Sequence, residues 1–99
     1  MPDKAIPCKI RNKRWTLVFT RNPDLIPRGT WGVTKHWQKL IAIHPDQKGQ
    51  EAIGTVIHEW LHGFFPDAKE DVILQAESEL VGLLDSLGML ADEWAQDEI

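Results

Sequence analysis

A chain of 99 residues with 42% apolar content buries only about two-thirds of its unfolded surface, enough for one core and too little for two. No run approaches the roughly 18 apolar residues of a membrane span, residues 1–10 interleave Asp3, Lys4 and Lys9 unlike a secretion signal, and the lone Cys8 excludes an internal disulfide. The net charge of −4 hides an asymmetry: ten of the eleven Lys and Arg fall in residues 1–50 with Asp3, Asp24 and Asp46, whereas residues 51–99 carry twelve acids against Lys69. These features predict one cytoplasmic unit over 1–99 without membrane contact. Its ordered core is expected over about residues 10–88, with an acidic C-terminal tail. The asymmetry reads either as two layers that attract each other or as a basic surface meeting an anionic partner such as nucleic acid.

Arg14 to Thr20 places Trp15, Leu17 and Phe19 on one side of a period-two pattern, the signature of a half-buried strand. Asn22 to Gly29 carries two prolines and reads as a loop. Thr30–Lys35 and Lys39–His44 are two further short strands, the last stopped by Pro45. From Gly49 the period becomes helical, with Ile53, Val56, Ile57, Trp60, Leu61 and Phe64 on one stripe until Pro66. Asp67 and Glu70 have the spacing of a capping box. A second helix then carries Val72, Ile73, Ala76, Leu80, Leu83, Leu84 and Leu87 as its core stripe and Gly88 as its stop. Ala91–Ile99 reads as an acidic, frayed helical tail. Three strands followed by two helices predict an α+β domain: a small three-stranded antiparallel sheet, an active-site helix and a second packed helix.

The first helix contains HEWLH at 58–62, a match to HExxH. His58 and His62 stand one turn apart, so both imidazoles reach one ion from the same side, roughly opposite the apolar stripe. Glu59 lies about 100° round the axis, where it meets a metal-bound water rather than the metal. A chance match in a chain this short is at roughly the 1% level, so two unrelated surface histidines beside an acid is the weaker reading.

Zn2+ in such a site takes three protein ligands and leaves a fourth position for a water acidified towards a pKa of about 7. Glu59 as general base, with a peptide bond as substrate, would make this a zinc metalloendopeptidase site acting on protein or peptide. His58 and His62 are the first two ligands. The third is a carboxylate among Asp67, Glu70, Asp71, Glu77 and Glu79, because no Cys or His follows His62. A short turn between antiparallel helices favours Glu70 or Asp71 over Glu77 and Glu79, and Glu70 is placed first. The capping box is the competing role for Asp67 and Glu70.

With no tyrosine in the chain, the oxyanion would fall to His44, His36, an arginine or the metal alone. Cys8 could hold the site latent by taking the open zinc position, although a free thiol in a reducing compartment is the commoner state.

With HEWLH stand KRWTLVF, the pair Trp31 and Gly32, LIAIHP, TVIHEWLHGFFPD and EDVILQAESEL, in that order. Together they resemble the short zincin-like, gluzincin-type metallopeptidases of phage and bacterial genomes, related to the SprT-like and ImmA/IrrE-type groups, over most of Arg14 to Leu87. SprT-like domains use a histidine as third ligand, which this chain lacks after His62. ImmA/IrrE-type domains use a glutamate early in the next helix, similar to Glu70, although Ile73 and Leu74 stand where those have Ala-Asn. The resemblance implies zinc-dependent peptide-bond hydrolysis. The competing reading is a non-enzymatic module that keeps zinc as a structural clamp or binds nucleic acid through its basic half.

Overall fold

A computed structural model describes residues 3–90. The chain runs through β1 (Lys4–Ile10), β2 (Lys13–Phe19), β3 (Gly32–Lys35), β4 (Leu40–Ile43), α1 (Gly49–Phe64) and α2 (Glu70–Ser86). The α+β class and the order of strands before helices hold, while the tail at Ala91–Ile99 lies outside the described residues.

The sheet departs from expectation in two ways. It has four strands in the order β1-β2-β4-β3, and it is mixed, because β2 and β4 run parallel. The added strand β1 alternates Ile6, Cys8 and Ile10 inward, but Pro7 in its middle masks the pattern. Proline is tolerated there because β1 ends the sheet and one side of its backbone needs no partner. The turn joining β1 to β2 places Arg11 and Asn12 at φ 52 and φ 67. Two successive left-handed residues match the right-handed twist of a tight hairpin.

The parallel pair follows from the loop after β2. Asn22 folds it, accepting the Asp24 amide on Oδ1 and the Leu25 and Ile26 amides on its carbonyl. Leu25 and Ile26 then cap one sheet face over Val18, Ala42, Val33 and Leu40. Having crossed that face, the chain lays β3 at the far edge and returns through a tight turn, so β4 fills the gap beside β2. The long connection decides the topology, because a hairpin cannot join parallel strands.

The other face carries the main core: Ile10, Trp15, Phe19, Ile41 and Ile43, covered by Val56, Trp60 and Phe64 of α1. The buried positions of α1 include Ala52, Glu59 and Gly63, whereas Ile53 and Ile57 of the expected stripe stay half-buried. α1 is thus rolled so that Glu59 points at the sheet. Gly63 permits the approach, since a Cβ there would stand 2.8 Å from Ile10 Cδ1.

α2 packs on α1, and its expected core stripe is largely uncovered: Ile73 is buried, but Val72, Leu80, Leu83 and Leu87 are exposed. The helix stops where expected. Gly88 at φ 71, with the Met89 amide on the Leu84 carbonyl and the Gly88 amide on the Asp85 carbonyl, forms a Schellman end. Gly82, inside α2, has open space where a Cβ would stand and so offers a stabilising change. Gly82→Ala is expected to raise unfolding free energy by about 0.5–1 kcal/mol in urea titration.

Candidate metal centre

The expected capping box does not form, and this is what frees the third carboxylate. α2 begins at Glu70 itself, with Lys69 as an N-cap that makes no side-chain bond. The Val72 and Ile73 amides bond to the Lys69 carbonyl, and Asp67 stays exposed in the turn. Glu70 therefore stands at the first position of α2 with its carboxylate unspent on the helix end, facing the last turns of α1.

His58 Nε2, His62 Nε2 and Glu70 Oε1 form a nearly equilateral triangle. The separations are 2.9 Å (His62 to Glu70), 3.1 Å (His58 to Glu70) and 3.2 Å (His58 to His62). Ligand bonds of about 2.0–2.1 Å in a tetrahedron put donor atoms about 3.3 Å apart, so the three atoms can hold one metal ion after opening by a few tenths of an ångström.

With both imidazoles neutral, protons alone satisfy this triangle poorly. His58 Nδ1 stands 2.9 Å from Glu77 Oε1, and a carboxylate can only accept, so Nδ1 carries the proton and a neutral His58 turns the lone pair of Nε2 into the triangle. Glu70 Oε1 is a second acceptor. A single proton on His62 Nε2 cannot bridge both, whereas a cation meets three lone pairs at once. The Glu77 contact is the familiar means of orienting a ligating imidazole.

The five candidate carboxylates are therefore separated by position. Glu70 joins the histidines, and Glu77 takes the other nitrogen of His58. A Cβ at Gly54 would lie 2.8 Å from Glu77 Oε2, so that glycine makes the room. Asp71 bonds the Val72 amide, Glu79 accepts from Gln75, and Asp67 is exposed in the turn.

Glu59 is 9% exposed and leans onto β3, where the Thr34 hydroxyl lies 2.7 Å from its Oε1. With His58, Glu77, Trp31, Gly32 and Thr55 it lines a cavity of about 240 Å³. Sequence reasoning misses Thr34 and Gly32 as the residues that position Glu59. Their signal is the short strand beginning Trp-Gly, readable only once β3 is known to lie against α1.

A Cβ on Gly32 would meet Thr55 Cγ2 at 2.8 Å and Glu59 Cγ at 3.0 Å. Gly32→Ala is expected to prise β3 from α1, costing about 1–3 kcal/mol in urea unfolding and displacing Glu59.

His44 and His36 part company. His44 packs edge-on against Trp31, at a centroid distance of 5.3 Å, beside the cavity wall. Its Nδ1 accepts the Asp46 amide at 3.2 Å, which assigns the proton to Nε2 and leaves that N–H as a donor. Asp46 is itself paired with Arg21. His36 instead lies against Trp15.

Cys8 stands on β1, three strands from β3 in the sheet order, with its side chain against the main core. Burial pushes its thiol up from the ordinary value, opposite to what an activated thiolate needs. Cys8→Ser is accordingly expected to leave metal content and basal activity unchanged, and a rise in activity would restore the latency role.

No helix among the described residues is long and apolar enough to cross a membrane. No family model matches the chain, and no curated protein or solved structure does so. The site's own geometry thus carries the functional argument: helix α1 presents two histidines, and the start of α2 completes a His-His-Glu group that can bind a metal.

Proposed function

We propose that this protein is a zinc metallopeptidase, with His58, His62 and Glu70 as metal ligands and Glu59 as general base. The observation that carries the reading is the triangle of three donor atoms beside a cavity into which a buried carboxylate projects. Two imidazoles and one carboxylate form a donor set suited to Zn2+ with an open fourth position.

When bound, the ion would supply Lewis acidity, polarising a carbonyl and acidifying a water. Glu59 would take the proton of a water in the cavity as that water attacks the peptide carbon, then hand it to the departing amine. The Thr34 hydroxyl anchors one carboxylate oxygen, so the base keeps one orientation through both transfers. Glu77 holds His58 in the tautomer that offers Nε2. His44, with its Nε2 proton and its seat beside Trp31, is the side-chain donor nearest to the role of oxyanion partner.

A domain this small has little chain for a deep cleft. β3 ends the sheet, and Gly32 at its start lines the cavity. An extended peptide would add to that edge as a further strand, trading backbone hydrogen bonds with β3 while its scissile bond lies over Glu59.

The test is elemental analysis of protein purified without added metal, together with cleavage of an unfolded protein substrate. One equivalent of zinc and chelator-sensitive cleavage support the proposal. A wild-type protein that takes up no metal even when zinc is supplied overturns it.

A further inference from the structure

The end of the sheet opposite the start of β3 carries a feature that peptide hydrolysis does not use. The β1–β2 turn and the β3–β4 turn (residues 36–39) lie side by side there, since the Lys39 carbonyl accepts the Thr16 amide at 3.0 Å. Arg11, Lys13 and Lys39 line a cavity of about 370 Å³ between them, floored by Ile10, Trp15 and Gly63. Arg14 follows on the outer face, paired across the strands with Lys9.

Like charges directly opposite each other in a sheet are unfavourable. Among the described residues, none of Arg11, Lys13, Arg14 and Lys39 forms an ion pair. Asp67 lines a neighbouring cavity with Arg11 but forms no ion pair with it. Among the described residues, the acids of the second half therefore form no ion pair with this basic end.

The second observation is independent of charge. Trp37, in the same turn as Lys39, is 96% exposed. Full exposure of the largest apolar side chain is unfavourable unless something stacks on it. A tight turn holds it there: Lys39 adopts φ 50, and its amide bonds the His36 carbonyl at 3.2 Å.

We propose that this end of the sheet binds single-stranded nucleic acid, with Arg11, Lys13 and Lys39 on the phosphates and Trp37 stacked on an unpaired base. Cations for the backbone and an aromatic face for the bases are the two elements such binding needs. A single strand fits better than a duplex, because a tryptophan at the tip of a turn reaches a base face only where that base is unstacked. An acidic protein segment would satisfy the cations but would leave Trp37 without a flat partner.

The experiment is fluorescence anisotropy with a labelled oligothymidylate of about 15 nucleotides, from about 50 to 200 mM salt, on wild type, Trp37→Ala and the triple variant Arg11→Gln, Lys13→Gln, Lys39→Gln. All four positions are exposed, and thermal melts check that the variants fold. The expected result is salt-dependent binding, weakened about tenfold or more by Trp37→Ala. The triple variant should show a slope flatter by about 2 in log Kd against log salt, about 0.7 for each lost phosphate contact. The same binding should persist after metal is chelated, so this result and the peptidase test stand or fall separately. Absence of saturable binding at the lowest salt, equal competition by polyglutamate, or Trp37→Ala binding as tightly as wild type would each overturn the proposal.

Discussion

Glu59→Gln is expected to keep its full zinc content and its fold while losing peptide hydrolysis by a factor of roughly 10²–10⁴, the usual contribution of a positioned general base. The substitution preserves side-chain length and hydrogen bonding to Thr34, because an amide oxygen accepts from a hydroxyl as a carboxylate does. What it removes is the ability to take a proton. Glu59 is also the buried acid of α1, and Gln fills the same volume there, so the substitution should not lower thermal stability. The measurement is paired: metal content by elemental analysis, and the rate of cleavage of an unfolded protein substrate. Zinc retained with cleavage unchanged would remove Glu59 from the chemistry and leave the ion as a structural clamp. Loss of zinc with the substitution would instead make Glu59 part of the metal's own surroundings.

Glu70→Ala and His58→Ala carry the second large effect, on metal rather than on rate. Each removes one corner of a triangle whose sides are 2.9, 3.1 and 3.2 Å. Two remaining ligands cannot hold the ion against a modest chelator, so zinc should fall from one equivalent to a small fraction in both variants, and cleavage should disappear with it. Glu70 lies at the first turn of α2 with its side chain 62% exposed, so its removal is not expected to unfold the chain. Glu77→Gln makes a graded comparison: it weakens the acceptor for His58 Nδ1 without touching the triangle. Loss of an outer partner of this kind lowers metal affinity about 10–100-fold. An order of Glu70→Ala below Glu77→Gln below wild type in zinc retention supports the assignment. The reverse order would make Glu77 the ligand and Glu70 the outer partner.

Much of this site is legible in the chain before any fold is known. HEWLH declares itself because helical period and ligand spacing coincide: four residues make about one turn, so His58 and His62 must share a side wherever the helix goes. The limits of α1 follow from Gly49 and Pro66, and the end of α2 from Gly88, for equally local reasons. Glu70 can be preferred over Glu77 because a five-residue connection leaves the start of α2 level with the end of α1. Its choice over a capping role cannot be made from the sequence, since Asp67–Glu70 satisfies the spacing of both.

The elements that escape the sequence are those fixed by partners far along the chain. β1 is hidden by Pro7, whose tolerance depends on lying at a sheet edge, and being an edge is a property of the whole sheet. The parallel pairing of β2 with β4 arises because the loop after β2 crosses a sheet face, a path set by Leu25 and Ile26 finding Val18 and Ala42. The roll of α1 that buries Glu59 against Thr34, and the open outer face of α2, likewise record how surfaces dock rather than how residues repeat. Sequence by itself determined the α+β class, the two helices and the histidine pair, because local period and turn chemistry act within a few residues. The tertiary structure alone decided the mixed sheet, the place of Glu70 beside the histidines rather than in a helix cap and the anchoring of Glu59, because each depends on a contact between segments from 8 to 25 residues apart that no local pattern encodes.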